Sequence, residues 1–312
     1  MLGAFHPRQR GGENRKEDGM PELPEVETIA RTLRPLIAGR VIIGAQLLLP
    51  RSLHPLSLPL RRLVGRRVAD VTRRGKLALI NLVPQGCPPL PAGARWPAQS
   101  LTEDAAQPAV LAVHLRMTGR LFVYPPTEPL GKHTRVVLKL DDGNRLFFDD
   151  ARTFGLMLLA TPQILARWPF WNTLGPEPLE LSPAEFTARI RARAGRLKAV
   201  LLDQTTLAGI GNIYADEACF RAGADPRRPA CSLSPACCAR LLACIQEVLR
   251  ESIAQCGSSI KDYRTARGDA GAFQNYFRVY GRAGQPCHSC GTALAQAKVA
   301  GRTTVFCPRC QS

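Results

Sequence analysis

The chain has 312 residues, of which 45% are hydrophobic, so it is long enough for two packed domains and a small additional module. No run of about 18 uninterrupted apolar residues occurs, which excludes a membrane-spanning helix, and the polar first residues are unlike a secretory signal. We therefore expect a cytoplasmic protein, and its net charge of +17 favours a polyanionic partner such as nucleic acid.

The first part of the chain predicts a helix followed by strands. Residues 1–19 show no hydrophobic periodicity and are expected to be a disordered leader that the mature protein lacks. From Pro24 to Ile37, apolar side chains recur on one helical face. Alternating apolar residues then predict strands at Arg40–Leu49, Arg67–Val83, Val110–Val123, Thr134–Leu140 and Arg145–Phe148, with a hairpin turn at Asp142-Gly143-Asn144. We expect a mostly-β domain over residues 20–170, with a Pro- and Ala-rich inserted loop at 84–108.

Helical patterns dominate the next part of the chain and predict a helical domain over residues 171–280. The predicted helices are Phe186–Ala194, Arg196–Asp203, Ile213–Ala222 and Pro235–Gln255. Short strand-like pieces surround four cysteines in residues 281–312. The sequence thus predicts an α+β multidomain protein, and because it has no heptads we expect a monomer.

The last four of the eleven cysteines have the spacing of a structural zinc site. Two residues separate Cys287 from Cys290, and Cys307 and Cys310 repeat that spacing. Two such knuckles place four thiolates at the corners of a tetrahedron, which predicts one structural Zn²⁺ with no open position for a catalytic water. The other seven cysteines are expected to be reduced thiols.

Several segments resemble the formamidopyrimidine-DNA glycosylases, bacterial repair enzymes that excise oxidised purines and cut the DNA backbone. The segments are PELPEVET (21–28), RRGKL (73–77), HLRMTG (114–119), DARTFG (150–155), GIGNIYADE (209–217) and RTTVFCPRCQ (302–311). The resemblance covers Pro21 to Gln311. It implies an N-terminal β-sandwich with a leading helix, a helix–two-turn–helix domain, a C-terminal zinc-finger hairpin, and damaged double-stranded DNA as partner, bound at the nucleoid.

The resemblance assigns Pro21 as the nucleophile. An amino-terminal proline is a secondary amine that can attack the anomeric carbon of the damaged nucleoside, displace the base and form an iminium ion, whereas an internal proline is a tertiary amide. Because Met20 precedes Pro21, we expect translation to start at Met20 or the leader to be removed. Glu22 would handle protons at the opened sugar, with Lys76 and Glu25 as further catalytic residues.

The resemblance also implies a set of DNA contacts. A nucleotide flipped out of the duplex leaves a void, which Met117, Arg152 and Phe154 would fill, with Arg152 bonding the orphaned cytosine. Residues 258–278 would form a loop over the flipped base. The remaining expected DNA contacts are His133, Lys198, Asn212, Lys261, Tyr280 and Arg302.

These features predict a glycosylase and lyase acting on 8-oxoguanine opposite cytosine and on ring-opened purines. Two alternatives stay open. The sister family that removes oxidised pyrimidines shares the fold and nucleophile, but typically begins Pro-Glu-Gly-Pro, where this chain has Leu23. A non-catalytic DNA-binding relative would have lost the free proline, and the leader is the feature that favours it.

Overall fold

The computed structural model describes residues 20–86, 107–259 and 263–312. Two four-stranded antiparallel sheets form the N-terminal domain, one in the order β1-β6-β7-β5 and the other in the order β2-β3-β4-β8. Their strands are β1 Ile42–Leu47, β2 Arg66–Arg74, β3 Leu77–Pro84, β4 Ala109–His114, β5 Gly119–Tyr124, β6 Thr134–Leu140, β7 Arg145–Asp150 and β8 Leu156–Ala160.

The two sheets face one another across a shared apolar core. Inward side chains of both sheets, such as Ile80 and Phe148, are fully buried there. Helix α1, Leu23–Ile37, closes one side of this core with Val26, Leu33 and other apolar residues of a single face. The predicted β-sandwich with a leading helix is confirmed.

A helical domain follows, preceded by the short helices α2 Pro162–Ala166 and α3 Pro169–Thr173. It contains α4 Pro183–Arg191, α5 Leu197–Leu202, α6 Asn212–Ala222 and α7 Pro235–Ala254. These helices share a second apolar core, to which α1 contributes Leu23. Strands β9 Ala295–Val299 and β10 Arg302–Phe306 then form a two-stranded antiparallel hairpin beside the four clustered cysteines.

Two of the predicted strands are each two strands in the structure. The predicted strand Arg67–Val83 is broken by a turn at Gly75 and Lys76, and β2 and β3 pair on either side of it. The predicted strand Val110–Val123 is broken between β4 and β5, which belong to different sheets. The hairpin turn at Asp142–Asn144 is confirmed, with Gly143 at a φ of 89°.

The leader at 1–19 lies outside the described residues, as do residues 87–106 of the expected inserted loop. The flanks of that loop are described: Leu82 of β3 pairs with Ala109 of β4, so residues 85–108 connect two neighbouring strands. Within 20–86, 107–259 and 263–312, no helix is both long and apolar enough to cross a membrane.

Candidate active site

Glu22 lies at the junction of the β-sandwich and the helical domain. It is the residue before α1, and its Oε1 accepts the N–H of Ile213 in the first turn of α6 at 2.9 Å. The N–H of Leu23 donates to the carbonyl of Gly209 at 3.0 Å. A Cβ on Gly211 would lie 2.2 Å from the Glu22 carboxyl carbon, so only glycine allows this approach. The two glycines of the GIGN segment therefore serve to seat Glu22.

Burial controls the protonation of Glu22. Loss of solvation, opposed by the nearby Lys76 ammonium, raises the pKa of this carboxyl to about 7. Desolvation also lowers the pKa of Lys76, although the charges of Glu22 and Glu25 act in the opposite direction. A carboxyl with a pKa near 7 beside a desolvated amine is the arrangement that proton transfer at neutral pH requires.

Glu22 and Lys76 line one pocket with a volume of about 220 Å³ between the domains. The pocket brings together residues from the β-sandwich, from α6 and from the zinc module. Its lining consists of Met20, Glu22, Lys76, His114, Arg116, Phe170, Leu202, Gln204, Gly211, Asn212, Ile213, Tyr280 and Arg302. Five of the residues singled out in the sequence (Glu22, Lys76, Asn212, Tyr280 and Arg302) thus share one cavity.

Pro21 is buried between Met20, which lines the pocket, and Glu22. The end of the chain that would carry a free amine after removal of Met20 is therefore next to the carboxyl with the raised pKa. Met20 itself occupies part of the pocket wall.

Glu25 lies behind the pocket and makes structural hydrogen bonds. Its carboxylate accepts the N–H of Glu22 at 3.0 Å, the hydroxyl of Tyr214, and the N–H of Ser258 at 2.8 Å. One carboxylate thus ties the start of α1 to α6 and to the first residues of the loop after α7. This placement favours an anchoring role for Glu25 over direct contact with substrate.

The turn that presents Lys76 is held by a second acidic residue, which the sequence analysis did not single out. Glu177 accepts the N–H of Gly75 at 2.7 Å and forms ion pairs with Arg73 at 2.8 Å and Arg74 at 3.2 Å. Glu177 belongs to the segment leading into the helical domain. The position of Lys76 is therefore fixed from the opposite domain.

The three expected void-filling residues lie together on two adjacent loops. An Arg152 guanidinium nitrogen is 3.4 Å from the Met117 sulfur, and the guanidinium carbon lies 4.8 Å from the centre of the Phe154 ring. The Phe154 ring is 52% exposed. Asp150 shapes the loop by accepting the N–H groups of Arg152 at 3.2 Å and of Gly155 at 2.6 Å. This exposed aromatic ring, held by an arginine, is not part of the apolar core and is suited to insertion between bases.

The other expected DNA contacts occupy different places. His133 is exposed beside a cavity of about 240 Å³ that Lys132 and Arg120 also line. The side-chain oxygen of Asn212 is buried at the catalytic pocket without a hydrogen-bond partner among the described residues. Lys261 lies outside the described residues, so the structure does not place it.

Lys198 does not have the exposure that a DNA contact needs. Its side chain is fully buried, with Nζ 2.7 Å from Asp216 Oδ1 and 2.9 Å from the carbonyl oxygen of Thr303. The ammonium group therefore faces the zinc module and not the solvent. This placement does not agree with the expected direct contact between Lys198 and DNA. The motif shows which residue type is present but not the direction in which its side chain points.

The four cysteines form a site suited to zinc. The sulfurs of Cys287, Cys290, Cys307 and Cys310 all lie within 4.8 Å of one another. A tetrahedron with Zn–S distances of about 2.3 Å requires sulfurs roughly 3.8 Å apart. The Cys290–Cys307 and Cys287–Cys310 distances of 3.5 Å and 4.0 Å fit that geometry. The site is a structural zinc site, as the sequence predicted.

Two polar residues of the pocket wall, His114 and Gln204, were not assigned roles from the sequence. His114 is buried, its pKa is lowered to about 3 chiefly by burial, and its Nδ1 accepts the N–H of Arg116 at 3.2 Å. It is therefore a neutral hydrogen-bonding group at any physiological pH. Gln204 donates to the carbonyl of Ile210 at 2.8 Å and accepts from the N–H of Gly209 at 2.9 Å, which supports the GIGN turn. The HLRMTG segment was the signal that could have identified His114.

Comparison with known proteins agrees with this geometry. The chain matches the formamidopyrimidine-DNA glycosylase N-terminal domain over residues 20–157, the H2TH (helix–two-turn–helix) domain of the same enzymes over 174–264, and the zinc finger found in FPG and IleRS over 284–312. It is 48% identical to a formamidopyrimidine-DNA glycosylase of Nitratidesulfovibrio vulgaris and 42% identical to that of Geobacillus kaustophilus, over 94% of this chain and all of each relative.

Solved structures show the same similarity. The MutM (FPG) protein of Thermus thermophilus is 38% identical, with a TM-score of 0.77 over 93% of this chain and 98% of that one. Wild-type Lactococcus lactis Fpg, in complex with DNA containing N7-benzyl-Fapy-dG, is 32% identical, with a TM-score of 0.79 over 94% of this chain and 100% of that one. The chain belongs to the formamidopyrimidine-DNA glycosylase family of base-excision repair enzymes.

Proposed function

We propose that this enzyme removes 8-oxoguanine opposite cytosine and formamidopyrimidines from double-stranded DNA, and then cleaves the backbone at the same site. The observation that carries the proposal is the single pocket lined by Glu22, by Lys76 and by Met20, the residue directly before Pro21. A related MutM has been solved with DNA that contains carbocyclic 8-oxoguanine, and Lactococcus lactis Fpg with DNA that contains Fapy-dG derivatives.

The nucleophile is the secondary amine of Pro21, freed when Met20 and everything before it are absent. The similarity to the family begins at residue 20, and Met20 lines the pocket that the sugar would enter. Removing Met20 both creates the amine and opens space beside Glu22. This proposal retains the expectation that the leader at 1–19 is absent from the working enzyme.

The reaction needs few groups. The Pro21 nitrogen attacks the anomeric carbon, the bond to the base breaks, and the sugar ring opens to an iminium ion. The ring oxygen must gain a proton as the ring opens, and Glu22 is the group with a pKa suited to donating one near neutral pH. The iminium ion acidifies the adjacent carbon, so successive β- and δ-eliminations release both flanking phosphates.

DNA lies along the cleft between the domains. Phosphates contact Asn212, Tyr280 and Arg302 at the pocket and His133 on the β-sandwich. The loop residues Met117, Arg152 and Phe154 fill the space left by the flipped nucleotide, and Lys261 is a further proposed contact to the base. Domains at 20–170, 171–280 and 281–312 divide this work in a monomer that acts on nucleoid DNA in the cytoplasm.

Borohydride trapping tests the proposal. The substrate is a duplex with 8-oxoguanine opposite cytosine, and the enzyme is compared as protein beginning at Pro21 and as protein retaining residues 1–19. A covalent adduct with the Pro21 form alone is expected, because reduction fixes the iminium ion that only a free proline amine makes. An adduct with neither form would favour a non-catalytic DNA-binding protein, and faster trapping on oxidised pyrimidines would favour the sister activity.

A further inference from the structure

Strand β10 is stabilised along both of its edges. One edge pairs with β9, from Arg302–Val299 to Phe306–Ala295. Along the other edge, Lys198 donates to the carbonyl oxygen of Thr303 at 2.9 Å and Asp216 accepts the N–H of Val305 at 3.1 Å. Residues two apart on a strand present their backbone groups to the same edge, so these side chains take the place of a neighbouring strand.

The two side chains are a fully buried ion pair. Lys198 and Asp216 are both 0% exposed, and their charged atoms are 2.7 Å apart. A buried pair gains little net stability over apolar side chains of similar volume, because both charges lose their hydration. The pair instead fixes the position of β10, since each charged group also binds one specific backbone atom of that strand.

The fixed strand begins with a DNA-contact residue. Arg302 is the first residue of β10 and precedes Thr303, the residue that Lys198 holds. Arg302 also lines the catalytic pocket. Glu217, the residue after Asp216 on α6, accepts the N–H groups of Val279 at 3.0 Å and Tyr280 at 2.9 Å. Helix α6 thus holds the backbone beside two of the residues that face the pocket.

We propose that Lys198 and Asp216 are positioning residues for Arg302, and that the pair sets β10 against α6 in the register that directs Arg302 toward a DNA phosphate. The inference rests on the proposed function, in which Arg302 binds phosphate. The positioning role and a direct contact between Lys198 and DNA predict different changes in DNA affinity and in its salt dependence when these residues are substituted.

The first test is Asp216→Asn, assayed by binding of a duplex that contains a tetrahydrofuran abasic-site analogue opposite cytosine. Removal of a negative charge would by general electrostatics tighten DNA binding. Loss of the positioning contact instead weakens binding about tenfold, the size of one charge-assisted hydrogen bond, and lowers the salt slope by about one. The matched control is Asp141→Asn, which makes the same charge change on an exposed turn of the β-sandwich and should not weaken binding.

The second test is a double-mutant cycle between Lys198→Met and Arg302→Ala. If Lys198 acts through Arg302, each substitution alone lowers the salt slope by about one, and the two together lower it no further. If Lys198 binds phosphate itself, the losses add and the slope falls by about two, which overturns the proposal. Each variant begins at Pro21 and is measured across the same range of salt concentrations.

Folding and function are checked separately. Each variant must bind one zinc and melt cooperatively; if Asp216→Asn does not, the apolar replacement Lys198→Met with Asp216→Leu takes its place, with weaker binding again expected. Failure of both to fold would overturn the proposal by making the pair a requirement for folding. If the unsubstituted enzyme binds the abasic duplex no better than undamaged DNA, the proposed function fails. If it does bind better and the variants match it, the positioning role alone fails.

Discussion

At Glu22, burial and hydrogen bonding act on one carboxyl in opposite directions. Burial raises its pKa, while the N–H groups of Ile213 and Tyr214 and the Lys76 ammonium lower it, and burial prevails at about 7. The carboxyl therefore stays protonated up to about neutral pH and ionises above it. In the proposed reaction, this makes the proton available where the sugar ring opens.

We predict that base excision by enzyme beginning at Pro21 slows as pH rises through about 7. The donor form of Glu22 falls about tenfold for each pH unit above its pKa, so the single-turnover rate should fall in parallel. Titration of His114 cannot cause this fall in rate above pH 7, because its pKa of about 3 keeps the imidazole neutral in that pH range. The measurement is a single-turnover pH profile on an 8-oxoguanine duplex. Glu22→Gln, which has no proton to donate, should lose excision while still binding an abasic duplex; a flat profile above pH 7 would contradict the assignment.

The sequence indicated which residues belong to a site more reliably than it indicated where their side chains point. The zinc cysteines and Glu22 occupy the places their motifs indicate, because their chemistry depends on spacing along the chain. Lys198 was expected to contact DNA but has a fully buried side chain, and nothing in its neighbours along the chain distinguishes a buried lysine from an exposed one. Its burial depends on Asp216 and Thr303, which only the assembled fold brings close.

At the scale of elements, α1 and α4 to α7 were predicted to within a few residues, whereas α2, α3 and β8 were not predicted and two predicted strands are each two strands. Apolar residues stop at Val71 and resume at Leu77, so the break at Gly75 and Lys76 was open to prediction from its polar residues and glycine but was read as continuous strand. Between β4 and β5 the alternation continues through Leu115 and Met117, so periodicity alone could not show that break. Both missed breaks carry residues of the proposed site, because a side chain can project into a cleft from a turn more freely than from a paired strand.

We predict that Phe154→Ala impairs repair without destabilising the enzyme. The ring is 52% exposed, so its loss should change the free energy of unfolding by no more than about 0.5 kcal/mol. Excision from a duplex should slow at least about tenfold, because the void left by the flipped nucleotide would lack its wedge. Ile43→Ala, at a side chain 57% exposed on β1, is the matched control and should leave both unchanged. A lower melting temperature for Phe154→Ala would instead indicate a packing role.

We predict that Glu177→Ala both destabilises the fold and displaces Lys76. The substitution leaves the Arg73 guanidinium, 8% exposed, without one of its two carboxylates and the N–H of Gly75 without its acceptor. We expect a loss of about 3 kcal/mol in denaturant unfolding and a slower excision step. Glu180→Ala, a substitution at a nearby acidic residue of the same segment, is the comparison. Equal stability of the two variants would contradict a clamp at Glu177.

At the scale of the whole molecule, the zinc module completes the pocket from outside the catalytic domain. Arg302 reaches the pocket from the zinc module, as the first residue of β10, and Tyr280 reaches it from the residue directly before the module. We predict that chelation of zinc, or Cys310→Ser, weakens DNA binding by at least about tenfold and leaves the β-sandwich folded, because metal binding supplies the folding energy of such small sites. Cys256→Ser, at an exposed cysteine outside the cluster, should retain the metal and the affinity. Metal content and abasic-duplex affinity measured together decide it; full affinity without zinc would contradict this arrangement.

The connection between β3 and β4 has a practical consequence. A fusion partner on the amino terminus would block the proposed nucleophile, and the carbonyl oxygen of Ser312 already accepts hydrogen bonds from Asp225 and Arg228. By contrast, Leu82 and Ala109 are paired neighbours, so the chain leaves and re-enters the sheet at almost the same point. A reporter or affinity tag spliced into residues 85–108 would begin and end at adjacent strands, and an engineer could label this enzyme there while both chain ends remain native.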